Sequence, residues 1–215
     1  MKKSRTDKYH AASQHLAQID SDWARLVEAV GVCTHAAKPE HEPYEALVRT
    51  IAYQQLHARA AEAILGRLLI LHDGKLPTPK QLIKLDEQQL RACGFSSRKS
   101  LTLKAIAEAA NSGLIPNRDH ANNMPDEELI ERLVTLPGIG RWTVEMLLIY
   151  TLERIDIFPV DDFGVREGYR LIKSLDKQPT RKAMQEAGLL CSPYRTIAAW
   201  YLWRALELPD YKKRK

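Results

Sequence analysis

The sequence predicts an all-α protein, on three observations. Apolar residues recur at helical spacing through most of the 215 residues, and the stretches between them are short and hold cap, Pro and Gly signals. No alternating apolar–polar run reaches five residues, and β-branched residues are scattered rather than grouped. No internal repeat is present.

The elements follow in order. Helices are expected over 7–31, the second opened by Ser21-Asp22-Trp23 and ended by Gly31, with Trp23, Leu26, Val27 and Val30 on one face. Pro43 suits a first helical position, and the run 44–57 turns Leu47, Ile51 and Leu56 inward. A helix over 59–72 stops near Asp73-Gly74. Thr78-Pro79 starts a short helix at 81–85, and Asp86 caps another at 87–93, with Gly94 as a left-handed terminator. Ser97 or Ser100 opens a longer helix through Leu101, Ile106 and Ala109 to Gly113. Residues 114–124 read as a polar connection without a period. Asp126, Glu127 and Glu128 then set acids at the positive end of a helix dipole, ahead of the stripe Leu129, Leu133 and Val134. Beyond Pro137 an apolar helix begins near Arg141. The last three helices are expected at about 163–174, 180–190 and 193–208, the last capped by Ser192-Pro193.

Composition bounds the function loosely. Cys33, Cys93 and Cys191 are odd in number and widely spaced, so they give neither a disulfide framework nor a zinc spacing, and inert buried thiols are expected. No 18-residue apolar run is present, and the basic start Met-Lys-Lys-Ser-Arg has no apolar core behind it. A cytoplasmic protein is the expectation. The formal net charge is +5, but Lys2, Lys3, Arg5 and Lys8 against Asp7 give +3, and Lys212, Lys213, Arg214 and Lys215 against Asp210 give another +3. The body is therefore about −1, and any nucleic-acid face has to be a local arrangement.

That arrangement is sought between Leu136 and Arg166. In Leu136-Pro137-Gly138-Ile139-Gly140, Pro137 ends one helix and the glycines permit positive φ and close backbone approach. Free amides at the start of the next helix can bind a phosphate oxygen, with Arg141 adding charge and Thr143 a hydroxyl. Downstream, Phe158-Pro159-Val160-Asp161-Asp162 carries two adjacent carboxylates.

These motifs resemble the helix-hairpin-helix DNA glycosylase superfamily, and within it the 3-methyladenine DNA glycosylase II branch. The branch-level likeness lies in Gly140-Arg141-Trp142-Thr143, Asp161-Asp162, and Ser192-Pro193-Tyr194-Arg195 with Trp200 and Trp203. A looser match is Ile51-Ala52-Tyr53-Gln54-Gln55, and the likeness covers roughly 40–208. It implies two helical lobes, 43–135 and 1–42 with 136–215, with a DNA-binding cleft between them. It also implies that Asp162 is the catalytic carboxylate, with Asp161 left to cap the following helix. Cleaving an N-glycosidic bond builds positive charge on the sugar, which one preorganised carboxylate can stabilise while orienting water. Strand-cutting members carry a lysine where Trp142 stands, so a monofunctional enzyme without lyase activity is expected. Three cysteines cannot hold the iron–sulfur cluster of other branches.

A cationic alkylated purine would gain from aromatic walls. Trp142, Tyr53 and Tyr194 are the candidates, with Gln54 and Gln55 as polar edges, whereas Trp200 and Trp203 read as core. Extruding the nucleotide requires a side chain to fill the gap, expected by position at Ser97, or at Phe95 if the loop turns outward. Arg98 and Lys99 read as phosphate contacts. The resemblance further implies K⁺ or Na⁺ on the carbonyls of Leu136 and Ile139, no required cofactor, and a monomer acting on double-stranded DNA with a damaged base. Two rival readings stand beside it: a glycosylase for another damaged or mismatched base, and a non-catalytic DNA-binding module.

Overall fold

The computed structural model describes residues 5–37 and 40–209, which form α-helices with no strand among the described residues. In chain order these are α1 (Arg5–Ala17), α2 (Ser21–Val30), α3 (Pro43–Tyr53), α4 (Ala58–Ile70), α5 (Pro79–Lys84), α6 (Glu87–Ala92), α7 (Ser97–Asn111), α8 (Arg118–Asn122), α9 (Asp126–Leu133), α10 (Arg141–Tyr150), α11 (Phe163–Ile172), α12 (Arg181–Cys191) and α13 (Arg195–Ala205). None is long and apolar enough to cross a membrane.

The chain divides into two compact units, one from residues up to Ala37 and from Arg154 onward, the other from Lys38–Glu153. The first boundary thus lies near the expected one, but the second lies well past 135. The hairpin and α10 belong with the central unit because α10 packs on α3 and α9, burying Val144, Leu147 and Leu148.

In the terminal unit α13 is the central rod, packed on α11, α2, α1 and α12. Its core includes Leu16, Trp23, Leu26, Met184, Ile197 and Leu202. Tyr201 is buried there with its phenol satisfied, donating to the Gly31 carbonyl (2.7 Å) and sharing a hydrogen bond with the Ser13 hydroxyl (2.7 Å). The α11–α13 crossing is close because Gly168 lacks a Cβ: one built there would sit 2.2 Å from the Leu202 carbonyl oxygen. Burial pushes the thiols of Cys33 and Cys191 up to about 11 and about 12. Cys93, in the central unit, is raised for the same reason. All three are free and buried, as inert thiols should be.

The central unit is organised on α7, which packs on α5, α3 and α6. Local signals set its short helices: Thr78 with Gln81 and Asp86 with Gln89 form full capping boxes, and Gly94 takes φ 104 after α6. Three expectations shift here. Ser96, not Ser97 or Ser100, caps α7 by accepting from the Lys99 amide. The stretch 114–124 contains α8, capped by Asn117 and too short to show a period. Helix α3 stops at Tyr53 rather than near 57, because Gln55 turns left-handed (φ 57) and the Leu56 amide folds back to the Tyr53 carbonyl (3.2 Å). Leu56, expected inside, is consequently 40% exposed.

Candidate functional site

The hairpin joining α9 to α10 closes on a hydrogen bond from the Ile139 amide to the Leu136 carbonyl (3.1 Å). Its two glycines have different reasons to be there. Gly138 takes φ 79, and a Cβ on it would fall 2.2 Å from Thr102 Oγ1, so turn geometry and packing on α7 both demand glycine. Gly140 has an ordinary φ of −96, and a Cβ there would meet nothing within 4 Å. Among the described residues nothing asks for glycine at 140. The bare backbone instead leaves room for an outside group at the start of α10, which begins without a side-chain cap.

The side chains expected to assist have partners within the protein. The Arg141 guanidinium binds Glu127 (Nη1 to Oε2, 2.9 Å) and Glu145 (Nε to Oε1, 3.0 Å), the latter buried. Hydrogen bonds donated to Glu127 above all, against burial, hold the Arg141 pKa above the usual arginine value. Its charge is therefore balanced within the protein. The Thr143 hydroxyl is buried and accepts from Gln54 Nε2 (3.2 Å), which ties the end of α3 to α10. Trp142, second residue of α10, is half-exposed.

At the end of α3, Tyr53 is 40% exposed beside the left-handed Gln55 and the exposed Leu56. Of the residues expected to meet DNA in 94–99, Ser97 and Arg98 are exposed, but Phe95 is buried and cannot act as a wedge. Lys99 points inward as well. Its Nζ donates to the carbonyls of Ala52 (3.1 Å) and Gln54 (2.8 Å), and burial lowers its pKa.

In the terminal unit Asp162 is the N-cap of α11, and two donors meet on its Oδ1: the Val165 amide and the Trp203 indole N–H, each at 2.8 Å. The capping expected of Asp161 is thus done by Asp162, and Asp161 instead pairs with Arg181 (2.9 Å) at the surface. The indole lies against bare Gly164, where a Cβ would be 2.8 Å from Trp203 Cδ1. The positive end of the α11 dipole lies at this carboxylate, and two donors on one oxygen fix its plane. The sequence places Trp203 in the core, and its ring does pack against the terminal core while its N–H reaches Asp162. Its only sequence signal was an indole N–H that needs an acceptor when half-buried. Tyr194 is partly buried in the terminal core, its ring edge-on to His15 at 5.4 Å. No cluster of His, Cys, Asp and Glu suited to a metal occurs among the described residues.

Comparison with known proteins adds the following. Residues 48–193 match the family model described as HhH-GPD superfamily base excision DNA repair protein. The chain is 48% identical over 204 residues to DNA-3-methyladenine glycosylase 1 of Schizosaccharomyces pombe, covering 94% of this chain and 90% of that protein. Among solved structures it is similar to the 3-methyladenine DNA glycosylase of the same yeast in complex with abasic DNA, with a TM-score of 0.87, 48% identity, and coverage of 93% of this chain and 98% of that one. A DNA-3-methyladenine glycosidase from Bacillus halodurans aligns with a TM-score of 0.80 at 31% identity, covering 90% and 88%.

Proposed function

The chain belongs to the HhH-GPD superfamily of base excision DNA repair proteins, and from that premise we propose that it is a monofunctional DNA glycosylase excising alkylated purines of the 3-methyladenine type, leaving an abasic site. The observation that carries the reading is the Asp162 carboxylate, fixed at the N-terminus of α11 by the Val165 amide and the Trp203 indole. An oxocarbenium-like sugar needs negative charge held in place before the bond breaks, and a carboxylate oriented by two donors supplies it without reorganisation. The same group can orient or deprotonate the attacking water. An alkylated purine is already a good leaving group, so one carboxylate suffices. The substrate class is supported by the names of the relatives.

The remaining roles follow from the residues. The backbone at Gly138–Gly140 and the start of α10 take a DNA phosphate, with room secured by the open position at Gly140. Trp142 stands where a Schiff-base lysine would be needed, so base release is hydrolytic. Trp142 and Tyr53 are half-exposed aromatic surfaces suited to a flipped cationic base. Leu56, exposed at a tight turn, suits the space left by that base better than Ser97 does. The Leu136 carbonyl accepts the Ile139 amide and keeps a second lone pair. With the Ile139 carbonyl it would hold K⁺ or Na⁺ and add positive charge near the phosphate. The protein acts as a monomer on double-stranded DNA.

The test is release of free bases from methylated duplex DNA by wild type and Asp162→Asn, with alkali added afterwards to reveal abasic sites. Removal of a preorganised charge of this kind costs about 10²–10³-fold in rate. Full base release by Asp162→Asn would refute the mechanism, and strand scission without alkali would refute the reading of Trp142.

A further inference from the structure

The exposed pair Tyr53 and Leu56 sits in a turn that the chain does not adopt for local reasons. Helix α3 ends without a glycine, and Gln55 occupies the left-handed region that a side chain disfavours. Something outside the turn has to hold it. Two side chains do so within the central unit. Gln54 Nε2 donates to buried Thr143 on α10, and Lys99 Nζ, from the first turn of α7, donates to the carbonyls of Ala52 and Gln54. An ammonium group among the last carbonyls of α3 satisfies acceptors that the helix leaves orphaned and opposes the negative end of its dipole. Thr102, three residues on and so on the same face of α7, packs beneath Gly138 of the hairpin. One face of α7 thus backs both the turn at 53–56 and the hairpin.

We propose that Lys99 is a positioning residue for base excision: its ammonium clamps the end of α3 and thereby fixes the geometry of Tyr53 and Leu56 toward the extruded nucleotide. This rests on the glycosylase reading given above. It differs from the role of phosphate ligand that the sequence suggests for a lysine beside Arg98. A phosphate ligand must present its charge to solvent, whereas Lys99 has two of its three donors engaged on backbone carbonyls.

Two measurements test it. The first uses the wild-type protein and an amine-reactive ester, with labelling read by mass spectrometry in the absence and presence of duplex DNA. Lys99 is expected to label at least tenfold more slowly than the exposed Lys80 and Lys84 in the free protein, with no further protection by DNA. Labelling as fast as Lys80, with protection on adding DNA, would overturn the proposal. The second compares wild type with Lys99→Met, which keeps the stem and removes the donors, after thermal unfolding shows the variant folded. Single-turnover base release from methylated duplex is expected to fall at least tenfold at saturating protein. The slope of log Kd against log salt, measured on a duplex with an abasic analogue, should stay at the wild-type value. A slope shallower by about 0.9, the signature of one lost phosphate contact, or an unchanged rate would overturn it. If the wild type itself releases no base, the glycosylase reading falls, and the labelling still decides where the Lys99 ammonium lies.

Discussion

Trp203 offers the sharpest test of how the carboxylate is held. In Trp203→Phe the ring remains against Gly164, but the N–H that meets Asp162 Oδ1 at 2.8 Å is removed. A hydrogen bond to a charged acceptor contributes about 1.5–3 kcal/mol. If all of it serves the transition state, at about 1.36 kcal/mol per tenfold, the rate falls about 10- to 150-fold. The upper end is a ceiling, since the Val165 amide still caps the same oxygen at 2.8 Å and the charge itself stays. Trp203→Phe must therefore be less damaging than Asp162→Asn. Single-turnover release of methylated purines, with protein in excess over DNA, isolates the chemical step from product release. The loss should appear in the rate at saturation and leave the half-saturating concentration little changed. Wild-type rate at saturation in a folded variant would refute the orienting role, and the indole would then be a packing element with a satisfied N–H.

Other expectations follow from the same geometry. Gly140→Ala meets nothing inside the protein, so it should cost no more than about 1 kcal/mol in stability, the scale of an N-cap change, yet weaken DNA binding; Gly138→Ala, at φ 79 and against Thr102, should lose both, and urea titration with a DNA-binding isotherm separates the two. Gly168→Ala drives a methyl group onto the Leu202 carbonyl and should destabilise the protein by about 3 kcal/mol, at the upper end for overpacking, read from the shift in unfolding midpoint. Burial alone would raise the Asp156 pKa, but the Arg195 guanidinium and amide with the Ser192 hydroxyl hold it below the usual aspartate value. Its contribution to stability is therefore present above that unfolded-state value and lost as pH falls through the folded one. Asp156→Asn should accordingly lower stability at pH 7 and flatten its decline in acid, followed by thermal melts between pH 3 and 7.

Much of the fold was legible because helix starts are local chemistry. Thr78, Asp86, Pro43 and Gly94 each do what their residue type and neighbours dictate. The misreadings divide between local ambiguity, as at the cap of α7, and deciding partners that are distant in sequence. With serines at 96, 97 and 100, local preference could not choose the cap of α7. Gln55 is left-handed at a turn tied down from α7 and α10, 45 and 89 residues from Gln54. The α10 boundary moved because an apolar helix carries no label for the unit it packs on. For the site, the hairpin glycines carry a signal of their own, whereas the choice of Asp162 over Asp161 rests on the resemblance to the glycosylase superfamily. Trp203 could not be placed beside Asp162, since its N–H reaches back 41 residues to its acceptor.

The basic residues point to a wider consequence. Short helices expose many terminal carbonyls, each of which needs a donor. In the central unit Arg67 serves the Cys93 carbonyl, Lys104 those of Ile83 and Leu85, Arg118 those of His41 and Thr151, and Arg132 those of Gly113 and Leu114, besides Lys99 at α3. In the terminal unit Arg166 and Arg170 do the same for Pro179 and Leu175. Several of these cations sit beside the last carbonyls of a helix, as Lys104 does at α5 and Lys99 at α3, and there they oppose the negative end of its dipole. The 32 Lys and Arg of the sequence therefore overstate the charge offered to DNA. Under the proposed function, affinity rests on the hairpin amides and on exposed cations near them rather than on the total charge. The salt slope of DNA binding should in consequence be that of a small number of phosphate contacts, far below what the composition suggests.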